Sequence, residues 1–293
     1  MKMNNESETK YLKTGYLLEH FKLFHLRDLS NRDFFWHYHD FHKIVWFVEG
    51  AAAYHIEGKT FRLSPYDMLL VKKGEIHKPE VEFSCPYERY VIYISPQFLE
   101  ACSLKGDSLS RCFTEREEAQ ENLIRLPALE SNYLMSVIKR LEQVLQEKRY
   151  AGKQLSDIVF LDFMIHLNRI CVESPDIFKE NARYDKKIVE IMHYINTHLE
   201  QDMTVDFLAE RYYISKYHLM RKFKEETGYS IHQYILEKRM IMAKDMLVKG
   251  APASAAALDC GFKDYSTFHR VFKKKMNVSP SEYVNLQVSR KNT

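Results

Sequence analysis

Two hydrophobic periods follow one another along the chain. From about residue 20 to residue 98, short runs rich in Val, Ile, Phe and Tyr are separated by turn residues such as Glu49-Gly50, Ser64-Pro65 and Lys73-Gly74. Many short strands at near-even spacing are typical of a β-sandwich or a β-barrel. From residue 184 onwards, apolar residues recur at the 3–4 spacing of helices, with breaks at Gly228 and Gly250. The pattern therefore predicts a β domain followed by an all-helical domain.

The segment between these two parts, residues 129–172, predicts two helices. The first has one apolar stripe, whereas the second is apolar on more than one face between residues 155 and 167. One interpretation is that both helices pack on the β domain. The other is that they form a dimer interface, and we expect both to hold. Residues 173–183 are polar and contain Pro175, which is typical of a linker.

The composition is that of an ordinary globular protein. Of 293 residues, 45% are hydrophobic and 28% are charged, which is enough to build the cores of two domains. The five cysteines form no CxxC pair, which argues against a disulfide framework and a thiolate zinc site. The N-terminus is polar, and the longest apolar-rich segment, residues 158–170, is too short for a membrane span. We therefore expect a soluble, cytoplasmic protein without a membrane partner.

Positive charge is concentrated in the C-terminal part of the chain. Residues 184–293 contain 18 Lys and Arg against 13 Asp and Glu, although the net charge of the whole chain is only +3. A basic domain beside a slightly acidic one fits a domain that binds a polyanion such as nucleic acid. Charge alone is weak evidence, because solvated faces of ordinary proteins reach similar balances.

The sequence DFLAERYYISKYHLMRKFKEETGYS, residues 206–230, has the parts of a helix-turn-helix. After a short helix, a tight turn is predicted at Tyr213-Ile214, and Ser215 stands where an N-cap belongs. In the second helix, Leu219 and Phe223 are expected in the core. The outward positions of that helix are Lys216, Tyr217, Met220, Arg221 and Lys224.

The sequence ASAAALDCGFKDYSTFHRVFKKKMNVSP, residues 253–280, repeats this design and indicates an internal duplication. It has a turn at Gly261, an N-cap candidate at Asp264, and Phe268 and Phe272 for the core. The outward positions are Tyr265, Ser266, His269, Arg270 and Lys273.

A single helix is predicted between the two units, over residues 230–248. Nineteen residues at 1.5 Å each give roughly 28 Å, which is close to one turn of B-DNA, about 34 Å. A rod of this length can place two recognition helices in successive major grooves. The spacing therefore favours double-stranded DNA over RNA.

These motifs resemble the DNA-binding domain of the AraC/XylS transcription regulators over residues 184–287. The run CGFKDYSTFHRVFKKKMNVSPSEY matches the family pattern GFxDxSxFxRxFKKxxxxSPxxY, which is long and specific. The resemblance implies a seven-helix domain and RNA polymerase as a partner. It also implies base contacts from the third and sixth helices, here from Tyr217, Met220, Arg221, Tyr265, Ser266, His269 and Arg270.

The second unit departs from the family pattern in its core. Ala253 and Ala256 stand where two Ile are usual, so we expect a smaller core and a looser second unit. Asn277 replaces a usual Gly, which is tolerable because Asn accepts the left-handed conformation. Val284 replaces a common Arg and removes one cationic contact.

The segments HYHDFHKIVWFVEG (37–50) and GKTFRLSPYDMLLVKKGEIH (58–77) resemble the cupin-type sensor half of such regulators. In cupin metal sites, two His one residue apart are followed by a Glu and a later His. Period-two alternation puts His37, His39 and Lys43 on one strand face, with His77 converging from a neighbouring strand, and it puts His42 on the other face.

Lys43 stands where that metal site has its Glu. A charged ammonium has no lone pair and repels a cation. We therefore expect no bound metal and no other cofactor, and a pocket formed by His37, His39, Lys43 and His77 for a hydroxylated or anionic small molecule. The alternative is that these histidines are barrel-rim residues with backbone partners.

The sequence thus predicts an α+β multidomain chain. The expected parts are a cupin-like, effector-sensing β-barrel (1–128), a helical hairpin for dimerisation (129–172), a linker (173–183), a DNA-binding domain of two helix-turn-helix units (184–287) and a tail (288–293). We expect a homodimeric, sequence-specific transcriptional activator that responds to a small molecule such as a carbohydrate, and not an enzyme. Two alternatives are a constitutive regulator whose barrel only dimerises and, less favoured because of Lys43, a metal-dependent cupin enzyme.

Overall fold

A computed structural model describes residues 17, 19–29, 34–82, 85–114, 122–147, 149–178 and 182–291. The chain divides into two compact units. The N-terminal unit comprises Met1–Ile56 and Thr60–Arg183, and the C-terminal unit comprises Tyr184–Thr293 with Glu57–Lys59. In the part of the chain so described, no helix is both long enough and apolar enough to cross a membrane.

Two sheets form the framework of the N-terminal unit. Their strand orders are β1-β7-β2-β5-β8 and β6-β3-β4-β9. The strands are β1 (Phe21–Asp28), β2 (His42–Glu49), β3 (Ala51–Ile56), β4 (Lys59–Arg62), β5 (Met68–Val71), β6 (His77–Glu82), β7 (Tyr87–Ile94), β8 (Leu123–Ile124) and β9 (Ala182–Tyr184). The prediction of many short strands is confirmed, whereas their closure into a barrel stays a prediction.

Strand β2 is buried on both faces because it lies between two cores. Ile44 and Trp46 belong to a cluster that includes Phe160 of a covering helix. Val45 points the other way, into a cluster that includes Tyr54 of the second sheet. Burying each such apolar side chain contributes about 1.5–3 kcal/mol relative to exposure. This double burial explains the near-continuous apolar run of the strand.

Helices cover the larger sheet. After α1 (Pro96–Cys102) and α2 (Arg111–Thr114), the long helices α3 (Ala128–Gln146) and α4 (Gly152–Glu173) form a hairpin. The apolar stripe of α3 is buried against the sheet core at Leu134, Ile138 and Leu141. The hairpin therefore packs within the N-terminal unit, which is the first of the two interpretations given above.

The described residues of the segment predicted as a linker, 173–178 and 182–183, belong to the N-terminal unit. Helix α4 ends at Glu173, and a 3₁₀ turn, Pro175–Ile177, follows it. Ile177 is buried in the sheet core, and its carbonyl accepts a hydrogen bond from the backbone of Arg125 at 2.9 Å. Strand β9 then joins the smaller sheet.

The described part of the C-terminal unit contains seven helices. They are α5 (Lys186–Thr197), α6 (Val205–Arg211), α7 (Lys216–Thr227), α8 (Ile231–Val248), α9 (Ala253–Asp259), α10 (Tyr265–Met276) and α11 (Pro280–Lys291). Helices α6 and α7 form the first predicted helix-turn-helix and α9 and α10 the second, with α8 between them. The two-domain architecture of a β-rich unit and a helical unit is thus confirmed.

Local caps set the ends of α7 and α10, the second helix of each helix-turn-helix. The side chain of Ser215 accepts a hydrogen bond from the His218 amide at the start of α7, and Asp264 accepts one from the Thr267 amide at the start of α10. Gly228 ends α7 and Asn277 ends α10, both in the left-handed conformation, with φ of 74° and 59°. Both N-cap predictions and the expected role of Asn277 are confirmed.

The turns of the two helix-turn-helix units reach positive φ with different residues. The first turn uses Tyr213, with φ of 51°, and the second uses Gly261, with φ of 81°. A Cβ atom on Gly261 would lie 2.3 Å from the Leu199 carbonyl oxygen and 2.8 Å from the Arg239 guanidinium carbon. The second turn therefore requires glycine for space as well as for backbone conformation.

Gly261→Ala is expected to lower the free energy of unfolding of the C-terminal unit by more than about 2 kcal/mol, because left-handed strain and backbone overlap add. Urea unfolding of the full chain, followed by far-ultraviolet circular dichroism, measures this. Tyr213→Gly is the matched control, since this side chain is 90% exposed, and it should change the same quantity by less than about 1 kcal/mol. Equal effects of the two substitutions would contradict the assigned role of the Gly261 contact.

Candidate functional site

Helices α7 and α10 present matching outward faces. Each predicted residue of α7 has its counterpart 49 positions later in α10, so that Lys216 corresponds to Tyr265 and Arg221 to Arg270. All ten predicted contact residues are exposed except His269, which is half-buried. On the opposite faces, four side chains are fully buried: Leu219, Phe223, Phe268 and Phe272. The structure thus brings each predicted set of five together on one helix face.

Two surface ion pairs involve residues on the exposed face of α7. Arg221 donates to Glu225 at 2.8 Å one turn further along the helix, and Lys216 donates to Asp206 of α6 at 2.9 Å. Their side chains are about half exposed or more, and pairs of this kind contribute only about 0.3–0.5 kcal/mol each. A phosphate or a base edge can therefore replace either carboxylate at little cost.

The face of α10 is more strongly cationic. Its sequence, YSTFHRVFKKKM, contains Arg270 and three lysines and no acidic residue, whereas α7 contains Glu225 and Glu226. Lys275 pairs with Glu237 of α8, and the exposed Lys273 and Lys274 lie in the last turn of α10. We expect α10 to attract a polyanion more strongly than α7 does.

Helix α8 separates the two helix-turn-helix units along the chain. It has 18 residues, which gives a length of about 27 Å. A capping box between Ser230 and Gln233 fixes its start, and seven of its residues are buried, including Tyr234, Met240 and Leu247. The helix is therefore held on several sides by the C-terminal unit.

A second group of predicted residues converges in the N-terminal unit. His37 and His77 are joined by two backbone hydrogen bonds of 3.1 and 2.9 Å. The ring centroids of His37, His39 and His77 lie 4.3–5.2 Å apart, and Lys43 Nζ donates to His77 Nε2 at 3.3 Å. All four predicted pocket residues are thus neighbours.

The prediction that strand alternation places His37 and His39 beside Lys43 is wrong. Strand β2 begins at His42, so His37 and His39 precede the strand and are not placed by its alternation. The isolated bridge between His37 and His77 brings them in instead. His42 lies on the opposite face, as predicted, where its ring stacks on Phe113 at 4.2 Å.

Burial keeps the three imidazoles neutral and makes Lys43 a weaker base. Burial, and then the charge of Lys43, lower the pKa of His37 to about 4 and the pKa values of His39 and His77 well below their usual range. Burial, and then the nearby Arg89, lower the pKa of Lys43 to about 7. The cluster therefore presents imidazole lone pairs and a weakly held ammonium proton.

Three further residues near this histidine and lysine cluster were not predicted from the sequence. The Tyr54 ring lies 5.7 Å from Lys43 Nζ, and the Tyr93 ring lies 5.7 Å from the ring of His39. Arg89 is buried and pairs with Asp28 at 2.7 Å. Tyr93 and Arg89 share one face of β7, so alternation along that strand was a usable signal.

Two family models match the chain, one in each of its two units. An AraC-like ligand binding domain matches residues 23–156, and a helix-turn-helix domain matches residues 208–285. The chain belongs to the AraC family of transcription regulators. It is a DNA-binding regulator with a ligand-binding domain, and not an enzyme.

Relatives of this AraC-family chain include named activators. It is 22% identical to the transcriptional activator RhaS of Escherichia fergusonii over 84% of this chain and 86% of RhaS. It is 23% identical to the lactose operon transcription activator of Staphylococcus xylosus over 80% and 81% of the two chains. Among solved structures, ToxT from Vibrio cholerae is 17% identical over 92% and 98%, with a TM-score of 0.38.

Lys273→Gln should reduce the salt dependence of DNA binding. Loss of one phosphate contact lowers the slope of log K against log salt by about 0.9. Fluorescence anisotropy with duplex DNA across a salt series measures this slope. Lys186→Gln, at an exposed position of α5, is the control and should leave it unchanged. An unchanged slope for Lys273→Gln would remove this residue from the interface.

Proposed function

We propose that this AraC-family regulator is an activator that reads double-stranded DNA through the outward faces of α7 and α10. The observation that carries the proposal is the matching of the two faces, position by position, on either side of a partly buried helix close in length to one DNA turn. Arg221 and Arg270 are the residues best suited to guanine, because Arg binds the O6 and N7 atoms of guanine bidentately. The remaining outward residues contact phosphates or neighbouring bases.

The N-terminal unit senses a small molecule at His37, His39, Lys43 and His77. Lys43 supports this assignment, because the residue is only 6% exposed and its Nζ lies beside an imidazole and an aromatic ring. A hydroxylated or anionic effector, such as a carbohydrate or a sugar acid, would supply acceptors for it. By family resemblance the regulator acts in the cytoplasm and contacts RNA polymerase.

A homodimer through α4 accounts for apolar residues that its hairpin leaves exposed. Leu155, Ile158, Ile165 and Val172 are all exposed, and Ile158 is 63% exposed. With Asp162 and Arg169 between them, these residues follow the 3–4 spacing of a coiled-coil seam. Antiparallel pairing of two α4 helices about Ile165 would set Ile158 against Val172 of the second copy and Asp162 beside its Arg169.

Arg221→Ala is expected to weaken binding to the specific site by about 1–3 kcal/mol and to relax preference at one base pair. Lys222→Ala is the matched control, because Lys222 pairs with Glu226 at 2.6 Å, away from the outward face. Binding to site variants and to scrambled DNA separates the two roles. An equal loss on all sequences would make Arg221 a phosphate contact.

Ile158→Arg is expected to convert the dimer into monomers, since a charge would be buried in the apolar seam. Sedimentation velocity of the full chain measures the mass. Leu129→Arg is the control, because Leu129 is a similarly exposed apolar residue at the start of α3, off the seam. A dimer that survives Ile158→Arg but not Leu129→Arg would refute the α4 interface.

The sensing role separates this proposal from a constitutive regulator whose N-terminal unit only dimerises. Thermal-shift measurement with a set of monosaccharides and organic acids tests it, because a ligand at 100 times its Kd adds about 2.7 kcal/mol of stability. The shift should be lost in Lys43→Met. A shift that persists in Lys43→Met would place the effector elsewhere, and no shift with any compound would favour the constitutive alternative.

A further inference from the structure

Three imidazoles of the N-terminal unit converge on one point. One ring nitrogen from each of His37, His39 and His77 lies within 4.8 Å of the other two. His77 is fully buried and His39 is 9% exposed. A group of three neutral imidazoles at this spacing is a set of metal ligands by its chemistry.

The lone pairs of two of these histidines are fixed by the backbone. Nδ1 of His37 donates to the Phe35 carbonyl at 2.6 Å, and Nδ1 of His77 donates to the Glu75 carbonyl at 2.9 Å. Because a carbonyl oxygen can only accept, each Nδ1 carries the proton and each Nε2 presents a lone pair. Backbone carbonyls orient metal-binding histidines in this way in known sites.

The surroundings of His39 provide independent evidence for a ligand site. Its ring stacks on Phe41 with centroids 4.4 Å apart. Neither of its ring nitrogens has a hydrogen-bond partner among the described residues. Buried polar groups are nearly always satisfied, so an imidazole buried in this way calls for a partner that the described residues do not supply.

We propose that His37, His39 and His77 bind one divalent transition-metal ion such as Zn²⁺. Tetrahedral zinc holds nitrogens at about 2.0–2.1 Å, with the ligand atoms about 3.3 Å apart, so the imidazoles approach one another by at most about 1.5 Å. Three protein ligands leave one coordination position for an oxygen of a hydroxylated or anionic effector. This last step rests on the proposed sensing function, whereas metal binding itself does not.

Lys43 competes with the metal and does not exclude it. Its Nζ donates to His77 Nε2, the lone pair that the ion would use, and Nζ also lies 5.7 Å from the centre of the Tyr54 ring. The flexible stem lets the amine leave His77 and remain over that ring. Under this proposal Lys43 lowers the affinity for the metal, whereas the sequence alone predicts that Lys43 prevents metal binding.

The test is a titration of the full chain, freed of metal by dialysis against a chelator, with Zn²⁺ by calorimetry and with Co²⁺ by absorption spectroscopy. One ion per chain is expected, with Co²⁺ bands typical of tetrahedral nitrogen ligation. His39→Gln and His77→Gln should each weaken binding by at least about 100-fold. His55→Gln is the control, because His55 lies in the same unit and bonds to Thr60 and Glu80, and it should leave the affinity unchanged.

Lys43→Met should tighten binding by about tenfold, since it removes both the competing donor and the repelling charge. Unchanged affinity in the two cluster variants, or weaker binding in Lys43→Met, would overturn the metal site. If the histidine variants do not fold, X-ray absorption of the zinc-loaded wild-type protein decides instead. Three imidazole ligands are expected, and coordination by oxygen alone would overturn the proposal.

A separate measurement distinguishes the metal site from the sensing function. DNA binding is measured with and without Zn²⁺ for the wild-type protein and for His39→Gln. A change confined to the wild type would support sensing through this site. Zinc binding that leaves DNA affinity unaltered would contradict the sensing role and leave the metal site standing.

Discussion

The proposed recognition of DNA by two helices depends on one constraint, the fixed length of helix α8. Two short recognition helices bind weakly one at a time, and they act together only if their separation matches the groove spacing of the duplex. The 18 residues of α8 are capped at Ser230 and buried at Tyr234, Met240 and Leu247. Packing within the C-terminal unit, and not a flexible loop, therefore sets the spacing.

The DNA-binding unit could be predicted almost completely from the sequence because its signals are local. Ser215, Gly228, Asp264 and Asn277 mark helix ends through bonds to residues within four positions. Only part of the need for glycine at Gly261 could be predicted from the sequence. Its positive φ follows from the turn, but its close approach to Leu199, 62 positions away, is a tertiary contact that no local pattern reports.

The N-terminal unit was less predictable because its site is built by contacts distant in sequence. Alternation correctly separated Lys43 from His42, but it could not show that β2 begins only at His42. The bridge between His37 and His77 spans 40 positions. The proton positions on the two imidazoles follow from carbonyls that only the folded chain brings into reach. The chemistry of the site therefore emerged only with the structure.

The most direct test of the central claim is hydroxyl-radical footprinting of the full chain on genomic DNA fragments selected for binding to it. We predict two protected segments on one face of the duplex, with centres about one helical turn, 10–10.5 base pairs, apart for each protomer. A single protected segment per protomer, or protection that is independent of sequence at moderate salt, would contradict recognition by two helices held at a fixed spacing.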